Sequence, residues 1–180
     1  MNVQLTERPN WQAQWIIPKY HTPNDEIVRG LRTPGVDIFP FAVGQIGPFP
    51  PGNLLLQTGI TGMWALVTGS SGATAWNNAN TQIGVGTSTA AAAATQTGLL
   101  GSGAGTDYQT MDTGFPTYTT TGTAQWRSTF GTAKGNFSWD EFVLMNGNPG
   151  SGVAMNRRVS AQGTKLSTQT WVPTLQVVLS

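Results

Sequence analysis

Apolar and polar positions alternate in the C-terminal half of the chain, and this pattern predicts β-strands. Between residues 123 and 130 every second residue, including Trp126 and Phe130, falls on one face, as expected for a strand with one buried side. The alternation recurs between residues 171 and 179. Pro173 lies within this second run, and it favours an edge position because proline cannot donate a hydrogen bond to a neighbouring strand.

The segment between these two runs predicts a β-hairpin. Residues 137–144 keep their large apolar side chains on one face only if a β-bulge lies at Asp140 and Glu141. The sequence GNPG at residues 147–150 is a turn signal. We therefore expect the strand before this turn to pair with a strand over residues 152–159.

Residues 53–68 predict the one helix of the chain. Asn53 is a candidate N-cap, and Gly69 occupies the usual stop position after the last turn. Gly59 and Gly62 each lower helix propensity by about 1 kcal/mol, which is tolerable where another backbone approaches closely. The helix is apolar on most of its sides, so we expect it to be largely buried.

The N-terminal segment, residues 1–52, differs in composition from the remainder. It holds most of the prolines, which argue against a long helix or a central strand. We therefore predict an extended Pro-rich docking arm over residues 1–52 and a separate domain over residues 53–180. Since such an arm has no core of its own, its large apolar side chains are candidates for partner binding. They are Trp11, Trp15, Ile16, Tyr20, Phe39, Phe41 and Phe49.

Together these elements predict a mainly β protein. Several short strands separated by turn residues are typical of an antiparallel β-sandwich or a jelly-roll-like domain. The expected architecture is that domain with one buried helix and an extended N-terminal arm.

Charge is scarce in this sequence. Only 9% of the residues are charged, against about 25% in an ordinary soluble protein, and no charged residue occurs between Asp37 and Asp107. The net charge of +1 gives no reason to expect a nucleic acid or an acidic membrane as partner. A surface with so little charge suits a protein that is covered in an assembly, so we expect a homo-oligomer, a dimer or a trimer.

The residues that carry chemistry are few. The chain has no cysteine and one histidine, His21, which is poor material for a metal site, and no cofactor is expected. Asp107 and Asp112 do not match a calcium-loop pattern. No run of about 18 apolar residues exists that would form a transmembrane helix.

One acidic and one basic cluster remain. Asp140 and Glu141 could form the carboxylate pair of a glycosidase, but neighbours in a strand point to opposite faces unless the bulge re-aims one of them, and we expect no enzyme. Arg157 and Arg158 form the one local basic cluster together with Lys165, and they are candidates for inter-subunit salt bridges to Asp140 or Glu141. The alternative is that the two arginines lie at a solvated strand end.

A set of ordered motifs over residues 53–180 resembles a known group of proteins. They are NLLLQTGI at 53–60 with WAL at 64–66, WNNANTQIGVG at 76–86 with TQTGL at 95–99, WRSTFG at 126–131, FSWDEF at 137–142, and MNRRV at 155–159 with GTK at 163–165. In this order they resemble a widespread group of small structural proteins of tailed bacteriophages.

The resemblance implies a role in virion assembly, for a protein made in the bacterial cytoplasm and located in the phage particle. The first expectation is a capsid decoration (cement) protein that binds the major capsid protein or other virion proteins. The alternative is a tail-fibre, tail-tip or receptor-binding module.

Overall fold

The fold consists of two antiparallel β-sheets and one α-helix. The computed structural model describes residues 11–21, 36–37, 53–119 and 122–179. The strands are β1 (Trp11–His21), β2 (Val36–Asp37), β3 (Asn53–Leu55), β4 (Thr81–Gly86), β5 (Thr106–Thr110), β6 (Thr117–Tyr118), β7 (Thr123–Arg127), β8 (Glu141–Asn146), β9 (Val153–Val159), β10 (Gln169–Trp171) and β11 (Thr174–Leu179). The helix α1 spans Gln57–Val67. The expectation of a mainly β, sandwich-like domain is confirmed.

The first sheet is built around β1. This strand pairs with β11 through its first half, with β10 through its last residues, and with β2. On the far side of β11 the sheet continues through β7 to β6. The N-terminal strand is therefore an interior strand of the sheet and not a free arm.

The second sheet has the order β3-β9-β8-β4-β5. Strands β8 and β9 form the predicted hairpin around the turn at residues 147–152. The bulge was predicted at Asp140 and Glu141, but the register shift lies between Leu144 and Met145. Trp139, Phe142 and Leu144 are nevertheless all buried, as the apolar pattern required.

The main core lies between the two sheets and is rich in aromatic side chains. Trp139 contacts the rings of Phe130, Phe142 and Trp171 in edge-to-face geometry, at centroid distances of 4.8, 6.0 and 4.8 Å. Trp15, from β1, packs on Phe142 at 5.5 Å. Edge-to-face pairs of this kind each add about 0.5–1.5 kcal/mol to the effect of burial alone.

The position of β1 corrects the predicted boundary at residue 53. Ala13, Trp15 and Ile17 are buried in the core, so residues 11–21 belong to the β-domain. Pro18 does not interrupt the sheet because it stands where β1 changes its partner. Pairing with β11 ends at Ile16, and pairing with β10 begins at Lys19.

Pro173 lies between β10 and β11, at the point where the chain passes from one pairing with β1 to the other. The edge position predicted from this proline is wrong. Because Pro173 separates the two strands, its missing N–H falls between the two pairings. Its carbonyl oxygen accepts a hydrogen bond from the Ser128 N–H at 3.2 Å. Strand β11 is central, between β1 and β7.

The helix starts later than the sequence indicated. Asn53 is not its N-cap. It lies in β3, where its side-chain amide donates to the Ala13 carbonyl oxygen at 2.8 Å and its Oδ1 accepts from Asn156 at 2.9 Å. The N-cap is Leu56, which makes no side-chain capping bond. Gly69 adopts φ +68°, which confirms it as the stop residue.

Candidate functional site

One side of α1 carries large apolar side chains that the described residues leave uncovered. Ile60, Trp64 and Val67 are exposed to 38, 62 and 75%, and their spacing of four and three residues places them in one stripe. We call these three residues the α1 stripe. The expectation that α1 is largely buried is therefore wrong, since Gly59 is its one buried residue.

The opposite side of α1 sits close to strand β9. A Cβ atom on Gly59 would lie 2.6 Å from the Cα of Met155, and one on Gly62 would lie 2.5 Å from the Trp76 ring. The Thr58 hydroxyl donates to the Ala154 carbonyl oxygen at 2.9 Å. The expected close approach of another backbone is confirmed at Gly59, whereas the close neighbour of Gly62 is the Trp76 side chain. This packing at Gly59 and Gly62 determines which side of α1 faces outward.

The uncharged surface continues from α1 into the loop of residues 87–101. The Gln57 N–H donates to the Ala94 carbonyl oxygen at 2.9 Å, which joins the start of the helix to the loop. No residue of α1 or of this loop is ionisable. The helix and the loop therefore form one neutral surface.

A buried ion pair lies beneath this loop. The Arg157 Nε and Nη2 atoms are 2.8 and 2.7 Å from Oε2 of Glu141, and both side chains are fully buried. The Nε–H is aligned as a hydrogen bond, whereas Nη2 makes a close charge contact without that alignment. Glu141 starts β8 and Arg157 lies in β9, so the hairpin register places them on the same face.

Both members of the pair bind the loop. The Glu141 carboxylate accepts the backbone N–H groups of Leu100 at 2.9 Å, Gly101 at 2.7 Å and Ser88 at 3.4 Å. The Arg157 Nη1 donates to the Ala90 carbonyl oxygen and to Gln96 Oε1, each at 3.0 Å. The charges of β8 and β9 thus hold both ends and the middle of a loop that has no charge of its own.

These contacts correct the prediction of inter-subunit salt bridges at Arg157 and Glu141. The two residues pair with each other inside one chain, and neither is exposed for a partner. Asp140 accepts a hydrogen bond from the Ser138 hydroxyl at 2.9 Å. Arg158 is half-buried, and this burial lowers the pKa of its guanidinium.

The predicted arm residues are dispersed in the structure. Trp15 is in the core, and Ile16 and Tyr20 are half-buried on β1, so Trp15 is not an anchor for a partner. Trp11 begins β1 and His21 ends it. Phe39, Phe41 and Phe49 lie outside the described residues.

The two aspartates that were considered for calcium have protein partners instead. Asp107 accepts the Gly135 N–H at 2.7 Å and the Gln109 amide at 2.9 Å. Asp112 accepts from Arg127 at 2.8 Å and from the Thr129 hydroxyl at 3.0 Å. Within the described ranges, no group of three or more His, Cys, Asp or Glu residues could hold a metal ion.

Lys165, which the sequence placed in a basic cluster with Arg157 and Arg158, is a buried cation. Its side chain is fully buried, and its Nζ donates to the Gly131 carbonyl oxygen at 2.8 Å and to Asn136 Oδ1 at 2.9 Å. Burial lowers the pKa of this ammonium group, and the negative charge of Asp107 raises it in partial compensation. The lysine ties the loop at residues 131–136 to the core.

Comparison of this chain with family models, with curated proteins and with solved structures found no match. In the described part of the chain, no helix is both long and apolar enough to cross a membrane.

Proposed function

We propose that this chain is a structural component of a bacteriophage virion, most specifically a capsid decoration protein that binds the major-capsid lattice. The observation that carries this proposal is the α1 stripe. Large apolar side chains held outward on a helix without charge are typical of a surface that another protein covers. The motifs over residues 53–180 resemble those of small phage structural proteins, which suggests that the covering protein belongs to a phage particle.

The proposed docking element is α1 and not the N-terminal arm that the sequence suggested. Strand β1 of that arm places Ala13, Trp15 and Ile17 in the protein's own core. Trp64 and Val67 of the α1 stripe, in contrast, stay mostly exposed among the described residues.

The same geometry argues against the glycosidase alternative at Asp140 and Glu141. Glu141 is fully buried and its carboxylate is occupied by Arg157 and three backbone N–H groups. A carboxylate in that position cannot reach a polysaccharide. This supports a structural role over a catalytic one.

The proposal is tested by counting copies of the chain in purified phage particles with quantitative mass spectrometry. A decoration protein is expected in hundreds of copies, on the head. A few copies at the tail would support the tail-fibre or receptor-binding module instead, and absence from the particle would refute both.

A further inference from the structure

We propose that α1 docks as a helix in an apolar, uncharged groove of a different protein in the particle, with the loop of residues 87–101 extending the contact. This inference rests on the proposed function and names the partner surface that it requires. It assigns the central contact to the α1 stripe, with Trp64 as its anchor. Tryptophan is among the residues most often found at the energetic centre of an interface.

The size of the α1 stripe favours a groove over a second copy of this chain. If Ile60, Trp64 and Val67 buried all the surface they still expose, the area would be roughly 300–400 Å². A stable interface buries about 800 Å² on each partner. Two helices meeting across a symmetric axis would bury little beyond their stripes. A groove that surrounds α1 also covers its flanks and the adjoining loop.

The absence of charge on the surface defines the chemistry of the groove. Neither α1 nor residues 87–101 contain an ionisable side chain, so a charge placed opposite them would lose its water without gaining a partner. The groove is therefore expected to be lined by apolar and neutral polar side chains. This is the helix-in-groove mode of recognition, in which side chains one helical turn apart provide the anchors.

The surface is held in shape before it binds. Gly59 and Gly62 seat α1 directly on β9 and Trp76, and the pair of Glu141 and Arg157 fixes the loop from beneath. A surface that is already ordered loses less conformational entropy on binding. The buried ion pair is thus a positioning element for docking, although it does not contact the partner.

The test uses two positions that are equally accessible but lie on different elements. A photo-cross-linking amino acid is introduced at Val67, exposed to 75%, and separately at Tyr118 in β6, exposed to 81%. Each chain is produced in infected cells, and purified particles are irradiated. In parallel, Trp64→Ser and Tyr118→Ser chains are counted per particle, and the fold of each is checked by circular dichroism.

The expected result is a cross-link from position 67 to a different virion protein. Trp64→Ser should lower the copies per particle by at least about tenfold, while Tyr118→Ser leaves them unchanged. A cross-link to a second copy, with wild-type dimers and Trp64→Ser monomers in sedimentation, would overturn the groove in favour of self-association. A cross-link within the chain to residues 1–52 would overturn it in favour of an internal cover.

The failures of the two proposals are distinguishable. If folded Trp64→Ser is found in particles at the wild-type level, the groove is refuted and the virion role stands. If wild-type chain is absent from the particles, the virion role is refuted, and the groove that rests on it is refuted as well.

Discussion

Replacing Glu141 with glutamine is expected to destabilise the protein strongly. The substitution keeps the size of the side chain and removes its negative charge, which leaves the Arg157 guanidinium fully buried without an anion. The new amide group would also place N–H donors where Glu141 now accepts the N–H groups of Leu100 and Gly101. Both effects act on the folded state alone.

The magnitude follows from burial. Removing one partner of a fully buried pair typically costs about 3–5 kcal/mol, because the remaining charge is left without compensation. For a chain of this size, 1 kcal/mol corresponds to about 2–4 °C in Tm. We therefore expect Tm to fall by roughly 6–20 °C. The loss of about 3–5 kcal/mol is a large share of a total stability of about 5–15 kcal/mol.

The measurement is urea unfolding followed by tryptophan fluorescence, with Asp112→Asn as the matched control. Asp112 and Arg127 form a more exposed ion pair, whose side chains are 18 and 41% exposed, and such a pair contributes at most about 1 kcal/mol. If Glu141→Gln and Asp112→Asn lowered the free energy of unfolding equally, the argument from burial would be refuted.

Three further predictions concern other parts of the fold. In urea unfolding, Gly59→Ala should lower the free energy of unfolding by about 1–3 kcal/mol, because the added methyl group would meet the backbone of Met155. The control Gly131→Ala should leave that free energy unchanged, because no atom lies within 4 Å of the added methyl group. Because the pKa of Lys165 is lowered in the folded chain, the unfolded chain binds more protons between that pKa and 10.5, and stability should rise with pH across this window. The rise is measured as an increase in the urea midpoint. If a Lys165→Met chain showed the same increase, Lys165 would not be its source. Trp64→Ser should lower the free energy of unfolding by no more than about 2 kcal/mol, since 62% of this residue is already exposed, and a larger loss would mean that Trp64 supports the fold itself.

The alternation of apolar residues was sufficient to place the main strands. It located β7 and β11, and the turn signal located the hairpin of β8 and β9. Pro18 and Pro173 led to wrong predictions, that their segments could not be central strands, for the same reason. A proline removes one backbone hydrogen-bond donor and does not prevent the rest of the strand from pairing. Pro18 and Pro173 stand where β1 and the β10–β11 segment change partners, and at such a point no donor is needed.

The docking surface was harder to predict, since its exposure depends on tertiary packing. The sequence shows a helix that is apolar on most sides, which is equally consistent with burial in the chain's own core. The signal that distinguishes the two sides is the pair Gly59 and Gly62, since the side that lies against the Met155 backbone and the Trp76 ring is the inner one. The stripe with Trp64 is then the outer side.

The sequence identified Glu141 and Arg157 as candidates for a salt bridge, but it predicted a bridge between subunits, whereas the two residues pair within one chain. In the hairpin register Arg157 lies opposite Val143, one diagonal step from Glu141, because of the register shift between Leu144 and Met145. A pairing continued from Asn146 and Val153 without that shift would place Glu141 opposite Arg158 and leave Arg157 on the other face, so the turn at residues 147–152 alone does not predict this ion pair. What covers the pair is a loop of neutral residues, and the sequence carries no pattern for it. Lys165 belongs to the basic cluster of the sequence, but its burial has no sequence signal, since its hydrogen-bond acceptors are a backbone oxygen and an asparagine.

The position of β1 has a consequence for how the chain folds while it is being made. Apart from the two-residue strand β2, its neighbours are β10 and β11 within residues 169–179. Ribosomes adding about 5–20 residues per second therefore present β1 on the order of ten to thirty seconds before these two partners. During that interval the strand has open edges and apolar side chains such as Trp15 and Ile17, which favour misassociation between nascent chains. The first sheet can be completed only after synthesis has passed β11, so yields should depend on chaperones and on translation rate.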